Sequence, residues 1–242
     1  PLSVSRVSSW SGVTPREVAK PVSARVGLPE VKLVPISLMD RQQFTEAFTE
    51  VSPNQKIPGL RDGDKTIMES CAILQYLGET FPTGLFPQGE ARWRVIPWLY
   101  WQAANIGPIF GNKLSYTRYI ADATEEQKAH PIERFGREAL RLVAVLDRQM
   151  QAHDYICGDS FTVADISVWC WVRSWKWSKI DITSKPRVLE WVRRVRARPG
   201  VERGISFGVP SEEIDQFSEE RKAQYRKNGA RIASNNRLPT DV

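Results

Sequence analysis

Two adjacent polar residues, Glu69 and Ser70, follow a short strand-like segment and open a predicted helix. The hydroxyl of Ser70 and the free amides of the first helical turn can donate hydrogen bonds to a carboxylate, and the helix dipole favours the same negative charge. The carboxylate of Glu69 can hold an ammonium group beside it. The pair is therefore suited to binding a free α-amino acid end, which carries both charges.

Earlier in the chain, Ile57-Pro58 belongs to an apolar segment that ends at the turn 61–64. Proline has no N–H and is excluded from central strands, so Pro58 is expected at a strand start, an edge or a bend. A cis bond before Pro58 would leave the N–H and C=O of Ile57 free at the strand edge. Those groups can pair with a peptide-like ligand as an added strand. With the charged pair that follows, this edge suits a small peptide such as glutathione.

Three motifs carry a resemblance to a known family. Segment 52–77 contains S-P-N-x-K-I-P-x-L, then D-G, then E-S-x-A-I-x-x-Y-L. Segment 158–166 reads G-D-S-F-T-V-A-D-I, and segment 131–135 reads P-I-E-R-F. Together they resemble the cytosolic glutathione transferases, and 52–54 and 131–135 are similar to the bacterial Nu-class and fungal Ure2p-like branch. The resemblance covers residues 9–204.

The order of predicted elements divides the chain into two domains and an extension. Residues 1–82 read as β-α-β-α-β-β-α, which predicts an α/β thioredoxin-like domain, and the resemblance implies that it binds glutathione. Segment 83–90 is rich in proline and glycine and is typical of a linker. Residues 91–209 have helical periodicity and predict an all-α domain with the electrophile pocket. Segment 210–242 is a charged C-terminal extension, in which residues 230–242 are predicted to be an extended tail.

Within the domains, helices are predicted for residues 16–26, 44–50 and 132–150. Thr162 and Asp165 have the spacing of a capping box. The helix that they open is apolar on almost every side, as expected of a helix in the centre of a domain. Asp165 is therefore assigned to folding rather than to catalysis.

The loop after the first strand carries hydroxyl groups but neither cysteine nor tyrosine. Without a cysteine, no mixed disulfide through protein sulfur is expected there. The usable groups are the amides at the next helix start and the side chains of Ser9, Ser11, Thr14 and Arg16. Hydrogen bonds and helix amides lower the pKa of a thiol. The loop therefore predicts a site that stabilises the thiolate of the ligand.

The hydroxyl that meets the sulfur is left open between three candidates. Nu-class members carry Thr-Pro-Asn here, and this chain has Thr14-Pro15-Arg16, which matches the threonine but lacks the asparagine. A shifted alignment, based on Lys20-Pro21, is similar to the glutathione-dependent β-etherases and makes Ser11 the catalytic hydroxyl. Ser11 is placed first, Thr14 second and Ser9 third.

The resemblance also implies a set of binding residues. For glutathione these are Gln43 and Lys56 at the glycyl end, Ile57 and Pro58 at the cysteinyl unit, Glu69 and Ser70 at the γ-glutamyl end, and Arg134 from the helical domain. For Lys56 and Arg134 a surface salt bridge is the alternative. The electrophile pocket is expected between the domains, beside segment 100–110, with Trp10, Tyr116 and either Trp175 or Trp177 in its wall.

Composition limits the remaining classes of protein. Three cysteines without a C-x-x-C pair, and two histidines that do not cluster with them, predict free thiols in a reducing cytoplasm and no metal site. The formal net charge is +6, but the arginines between 193 and 203 fall on the outer face of an amphipathic helix, so nucleic acid is not expected as a partner. No apolar run reaches the ~20 residues that span a membrane.

The resemblance implies a homodimeric glutathione-dependent transferase or reductase. The glutathione thiolate would attack a hydrophobic or aromatic electrophile or a disulfide. One alternative is a glutathione-dependent β-etherase-like lyase or a sulfur-transfer enzyme that acts on an aromatic metabolite. Another is a glutathione-binding regulatory protein, which would keep the binding residues but leave the thiol un-ionised.

Overall fold

The computed structural model describes the backbone of residues 2–7 and residues 31–81, 83–206 and 217–235. Its strands are β1 (Leu2–Val7), β2 (Val31–Ile36), β3 (Gly59–Asp62) and β4 (Lys65–Met68). Its α-helices are α1 (Glu46–Thr49), α2 (Ser70–Thr80), α3 (Ile96–Trp101), α4 (Gly107–Arg118), α5 (Glu125–Gln149), α6 (Val163–Val172), α7 (Pro186–Arg196), α8 (Pro199–Ser206) and α9 (Glu219–Asn235).

The strands form one sheet in the order β2-β1-β3-β4. β1 and β2 run parallel, whereas β3 is antiparallel to both β1 and β4. A parallel pair requires a crossover connection. The helix predicted for 16–26 falls in that connection, which is outside the described residues. β3 and β4 are joined by a tight turn at Gly63, whose φ of 58° suits glycine. This is the sheet expected of a thioredoxin-like domain.

The helix α2 connects the sheet to the helical domain. Its Ile73 is buried against Leu60 of β3, so one face of α2 closes the small core of the N-terminal domain. Gly78, farther along the helix, lies against Phe86 of the linker, where a Cβ atom would overlap the phenylalanine side chain. The close fit at Gly78 brings the start of the helical domain next to α2.

The helix α6 lies in the core of the helical domain, as its apolar sequence predicts. Asp165 is fully buried, and its carboxylate accepts hydrogen bonds from the backbone N–H of Ile156 (3.0 Å) and of Thr162 (2.9 Å). It also accepts one from Nε1 of Trp191 in α7 (2.9 Å). These donors tie the preceding turn and α7 to the start of α6. The predicted capping box is confirmed, and the buried hydrogen bonds of Asp165 are consistent with the folding role assigned to it.

The helix predicted for 132–150 is longer than expected and begins at Glu125. Its start is held by a capping box in which the Thr124 hydroxyl accepts from the N–H of Gln127 (3.2 Å) and the Gln127 side chain accepts from the N–H of Thr124 (2.8 Å). Pro131 lies inside the helix and does not mark its start. The predicted start, at residue 132, is therefore seven residues too late, because segment 125–131 lacks the apolar stripe on which the prediction was based.

Two other element predictions need correction. The helix predicted for 44–50 is a 3₁₀ turn, Gln42–Phe44, followed by the short helix α1. The tail predicted to be extended from residue 230 is helical as far as Asn235, because α9 continues through it with Ile232 buried. In the described ranges, none of the helices is both long and apolar enough to cross a membrane.

Candidate functional site

A cavity of about 790 Å³, here called the interdomain cavity, lies between the two domains. Its N-terminal wall is formed by the loop before β3 and the first turn of α2, with Lys56, Ile57, Pro58, Glu69, Ser70 and Cys71. Its opposite wall comes from α3, α4, α6 and the turn between α3 and α4, with Leu99, Tyr100, Gln102, Pro108, Asn112 and Trp171. The cavity therefore needs both domains.

The loop before β3 is shaped by hydrogen bonds within it. The Ser52 hydroxyl donates to the carbonyl of Lys56 (2.8 Å), and the N–H of Gln55 donates to the carbonyl of Ser52 (2.8 Å). These bonds turn the chain so that Lys56 and Ile57 line the cavity. The Ile57–Pro58 bond is cis, which is the isomer that the sequence analysis linked to a free backbone edge at Ile57.

The residue before α2, Glu69, has an unusual backbone. Its φ of 69° and ψ of 122° place a non-glycine residue in a sparsely populated region, where the cost is about 1–3 kcal/mol. Asn54 donates to the Glu69 carboxylate (3.3 Å), so the loop before β3 helps to hold the strained residue. Ser70 is the first helical residue, and the amides of this turn have no intrahelical acceptor. An ammonium partner and a carboxylate site thus lie next to each other.

A thiol also lies in this wall, but it is not poised for nucleophilic attack. The Cys71 Sγ donates to Oε1 of Gln102 across the domain boundary (2.7 Å). Burial raises the pKa of Cys71 to about 11, and the nearby Glu69 carboxylate adds to that effect. A thiol with such a pKa is almost wholly protonated near pH 7. Cys71 is therefore not a source of thiolate near neutral pH.

The helical wall is built around two glycines of α4. The turn Gln102–Ile106 is π-helical, a feature often found at functional sites, and it leads into α4. A Cβ atom on Gly111 would lie 3.4 Å from the Trp171 ring, and one on Gly107 3.5 Å from its Nε1. These are ordinary contact distances, so the indole of α6 packs directly on this face of α4 and reaches the cavity. Sequence reasoning missed Trp171, although the spacing of Gly107 and Gly111 was a usable signal.

The structure brings five predicted binding residues together in one wall: Lys56, Ile57, Pro58, Glu69 and Ser70. Gln43 is fully buried in the turn Gln42–Phe44, and Arg134 is exposed on α5.

The predicted electrophile residues are spread more widely. Tyr116 stacks on Phe135 of α5, with ring centroids 6.0 Å apart. Trp175 packs against the core of the helical domain. Trp10 and the candidate catalytic residues Ser9, Ser11, Thr14 and Arg16 lie outside the described residues.

No metal site emerges from the part of the chain that the structure describes, since it holds no suitable group of three or more His, Cys, Asp or Glu side chains. The interdomain cavity instead offers hydrogen-bonding groups, the carboxylate of Glu69 and the exposed ammonium of Lys56.

Comparison with known proteins places these features in a family. The model of the glutathione S-transferase N-terminal domain matches residues 8–79, and that of the glutathione S-transferase C-terminal domain matches residues 129–194. The disulfide-bond oxidoreductase YfcG of Escherichia coli (strain K12) is 34% identical over 179 residues, which are 70% of this chain and 80% of the relative.

Two solved structures share the architecture. A glutathione transferase family member from Pseudomonas fluorescens pf-5, with two glutathione bound, has a TM-score of 0.71 at 30% identity, over 86% of this chain and 93% of that one. A glutathione transferase from Pseudomonas putida, with one glutathione disulfide bound per subunit, has a TM-score of 0.69 at 26% identity, over 84% and 90%. With its thioredoxin-like N-terminal domain and helical C-terminal domain, the chain belongs to the glutathione S-transferase family.

Proposed function

We propose that the chain is a glutathione-dependent transferase or reductase that binds glutathione in the interdomain cavity. The observation that carries this proposal is the wall in which Ile57, Glu69 and Ser70 meet. The backbone of Ile57 pairs with the cysteinyl unit, and the γ-glutamyl end lies at Glu69 and the first turn of α2, which supply an acceptor for its ammonium and donors for its carboxylate. The glutathione-bound relatives support this assignment.

In the proposed reaction the nucleophile is the sulfur of glutathione. Cys71, the cysteine in the cavity wall, is protonated near pH 7, so it does not compete for this role. A hydroxyl of the loop after β1, with Ser11, Thr14 and Ser9 as the candidates, donates to the thiolate and lowers its pKa. Arg16 and the predicted helix start next to that loop add positive potential.

With a disulfide acceptor, two steps complete the exchange. The glutathione thiolate attacks one sulfur of the disulfide, forms a mixed disulfide and releases the other sulfur as a thiolate. A second glutathione thiolate then attacks the glutathione sulfur of the mixed disulfide, which yields glutathione disulfide and the second free thiol. The relative described as a disulfide-bond oxidoreductase supports this branch of the proposal.

The helical wall favours an aromatic acceptor as a second candidate substrate. Leu99, Tyr100 and Trp171 present apolar and aromatic surface to the cavity, and the lining residues described for this wall carry no charge. A flat, uncharged electrophile fits that surface better than a charged one does. Attack on carbon by the same thiolate would give a transferase or a β-etherase-like lyase, which differ only in the bond that breaks.

We further propose the finer assignments that the sequence suggests. The Nu-class branch is supported by segments 52–54 and 131–135, and a cytoplasmic location by the absence of disulfides among the described cysteines. A homodimer is supported by exposed apolar side chains on the described surface, which include Met68 and Leu140.

Ultraviolet difference absorbance of bound glutathione across a pH series tests the proposal. The wild-type complex is expected to show thiolate absorbance at neutral pH, and one of the variants Ser11→Ala, Thr14→Ala and Ser9→Ala is expected to lose it. Ser70→Ala serves as the control, since it should weaken binding but leave the thiol pKa of the complex unchanged. A normal thiol pKa in the complex, with all three hydroxyl variants silent, would instead identify a binding protein without catalysis.

A further inference from the structure

A second cavity, of about 880 Å³, lies on the linker side of the helical domain and shares no described lining residue with the interdomain cavity. We call it the linker-side cavity. It is bordered by the linker, the start of the helical domain and the turn before α6, and its lining includes Trp93, Arg94, Trp98, His153, Asp159 and Thr162. Its volume is in the range of small-molecule sites, about 300–1,000 Å³.

One side of this cavity is aromatic. The side chain of Trp93 remains 53% exposed, which is unusual for a residue of this size. Trp98, half-buried in α3, stands edge-on to Trp101 with centroids 5.1 Å apart, so the two indoles pack against each other. A flat apolar ligand that covers Trp93 would remove a large apolar surface from water and offset-stack on an indole.

The charged groups of the cavity differ in whether they have a described partner. Nδ1 of His153 lies 3.4 Å from Oδ1 of Asp159, so the carboxylate of the cavity has a partner. Burial raises the pKa of Cys157 to about 11, which keeps that thiol neutral. Arg94 forms no ion pair with any residue that the structure describes, and the guanidinium of Arg92 lies over the Trp93 ring, 5.4 Å from its centroid. The aromatic side therefore carries positive charge that an anion would complement.

We propose that the linker-side cavity binds a planar aromatic carboxylate, with its rings against Trp93 and Trp98 and its carboxylate at Arg94. Guanidinium and carboxylate can form paired hydrogen bonds, which fix the orientation of the ligand.

Binding at this place acts on the junction of the two domains. Thr162, the cap of α6, lines the cavity, and the first amide of α6, that of Val163, donates to the carbonyl of Leu85 in the linker (3.0 Å). A ligand that packs on both α6 and the linker favours the state in which the two are in contact. Occupancy therefore stabilises the whole chain and leaves the glutathione site free.

Calorimetric titration with 1-naphthoate and with uncharged 1-naphthamide tests the proposal on the full chain. We expect saturable binding of both, tighter for the acid, with a dissociation constant that saturating glutathione does not change. Arg94→Gln is expected to weaken 1-naphthoate about tenfold or more and 1-naphthamide by less than about twofold. Trp93→Ala is expected to weaken the binding of both ligands. Since the side chains of Trp93 and Arg94 are exposed, the two variants should fold.

Arg92→Gln is the matched control, because it removes a neighbouring positive charge that does not line the cavity, and it should change the affinity by less than about threefold. Three results would overturn the proposal: no saturable binding of 1-naphthoate, competition between 1-naphthoate and glutathione, or equal losses for Arg94→Gln and Arg92→Gln. None of them bears on whether glutathione binds in the interdomain cavity.

Discussion

Two cysteine residues show how burial decides the chemistry of a side chain. Cys71 lies in the wall of the interdomain cavity and Cys157 in that of the linker-side cavity. Burial raises the pKa of each thiol to about 11. Neither offers a thiolate near neutral pH, so position in a cavity wall does not make either of them a nucleophile.

The same shifts predict how stability depends on alkaline pH. The folded-state pKa values, about 11, lie above the ordinary value of 9.0, so the stability that these thiols contribute is fully present below pH 9 and is lost as the pH rises through 11. Urea unfolding at a series of pH values should show a steeper fall in the free energy of unfolding for the wild type than for the double variant Cys71→Ala/Cys157→Ala. Equal slopes would show that the two thiols titrate alike in both states.

Among single residues, the sequence grouped correctly those cavity-wall residues that lie close together in the chain. Lys56, Ile57 and Pro58 are consecutive, and Glu69 and Ser70 follow one hairpin later, so local motifs were enough to group them. The contact between Cys71 and Gln102 joins two domains, and no local pattern encodes it. The part of the site that depends on the docking of the domains was therefore out of reach.

Among the elements, α9 makes a very close contact with the end of α4. Gly229 lies under the ring of Tyr119, where a Cβ atom would overlap the aromatic ring. Farther along the same interface, Phe217 and Tyr225 pack with Trp177, which donates from Nε1 to the hydroxyl of Tyr119 (2.9 Å). The C-terminal helix is thus docked on the end of α4 by aromatic packing.

Adding one methyl group should separate α9 from this surface. Gly229→Ala is expected to destabilise the protein by about 1–3 kcal/mol, because the methyl group must push Tyr119 or the helix away. Gly204→Ala in α8 is the matched control: its Cβ atom would meet nothing within 4 Å, so the change should be neutral or stabilising by about 0.4–1 kcal/mol. Thermal unfolding monitored by tryptophan fluorescence gives both values. A loss of similar size at both positions would mean that the contact with Tyr119 contributes nothing.

The elements that sequence reasoning described well are those with strong local signals. The capping box at Thr162 and the apolar run after it predicted α6 correctly. The start of α5 was wrong because segment 125–131 lacks an apolar stripe, whereas the capping box at Thr124 begins the helix before Pro131. The end of α9 was wrong because its buried residues are few, and their burial depends on the partner helix rather than on their own periodicity.

For the whole molecule, the central fact is that the interdomain cavity has one wall from each domain. A ligand that touches both walls binds only the folded, docked state, and so it stabilises the two domains together. The fold class was predictable from element order and motifs, but the volume and the lining of the gap between the domains were not.

The stabilisation of the folded chain by glutathione bound at the proposed site can be measured. At a glutathione concentration 100 times the wild-type dissociation constant, the free energy of unfolding should rise by about 2.7 kcal/mol. Glu69→Gln should weaken binding about tenfold by removing the ammonium partner, so the rise should fall to about 1.4 kcal/mol at the same concentration. Asp64→Asn, an exposed carboxylate in the β3–β4 turn, is the control and should keep the full rise. An unchanged rise in Glu69→Gln would remove Glu69 from the binding site.

The positive φ of Glu69 sets two selection pressures against each other. Glycine at this position would relax the backbone, whereas the acidic side chain is the group that the proposed ligand requires. A library screened only for heat resistance should therefore drift toward Gly at position 69, and a library screened for ligand capture should retain Glu. Thermal stability and ligand binding would then favour different residues at this one position.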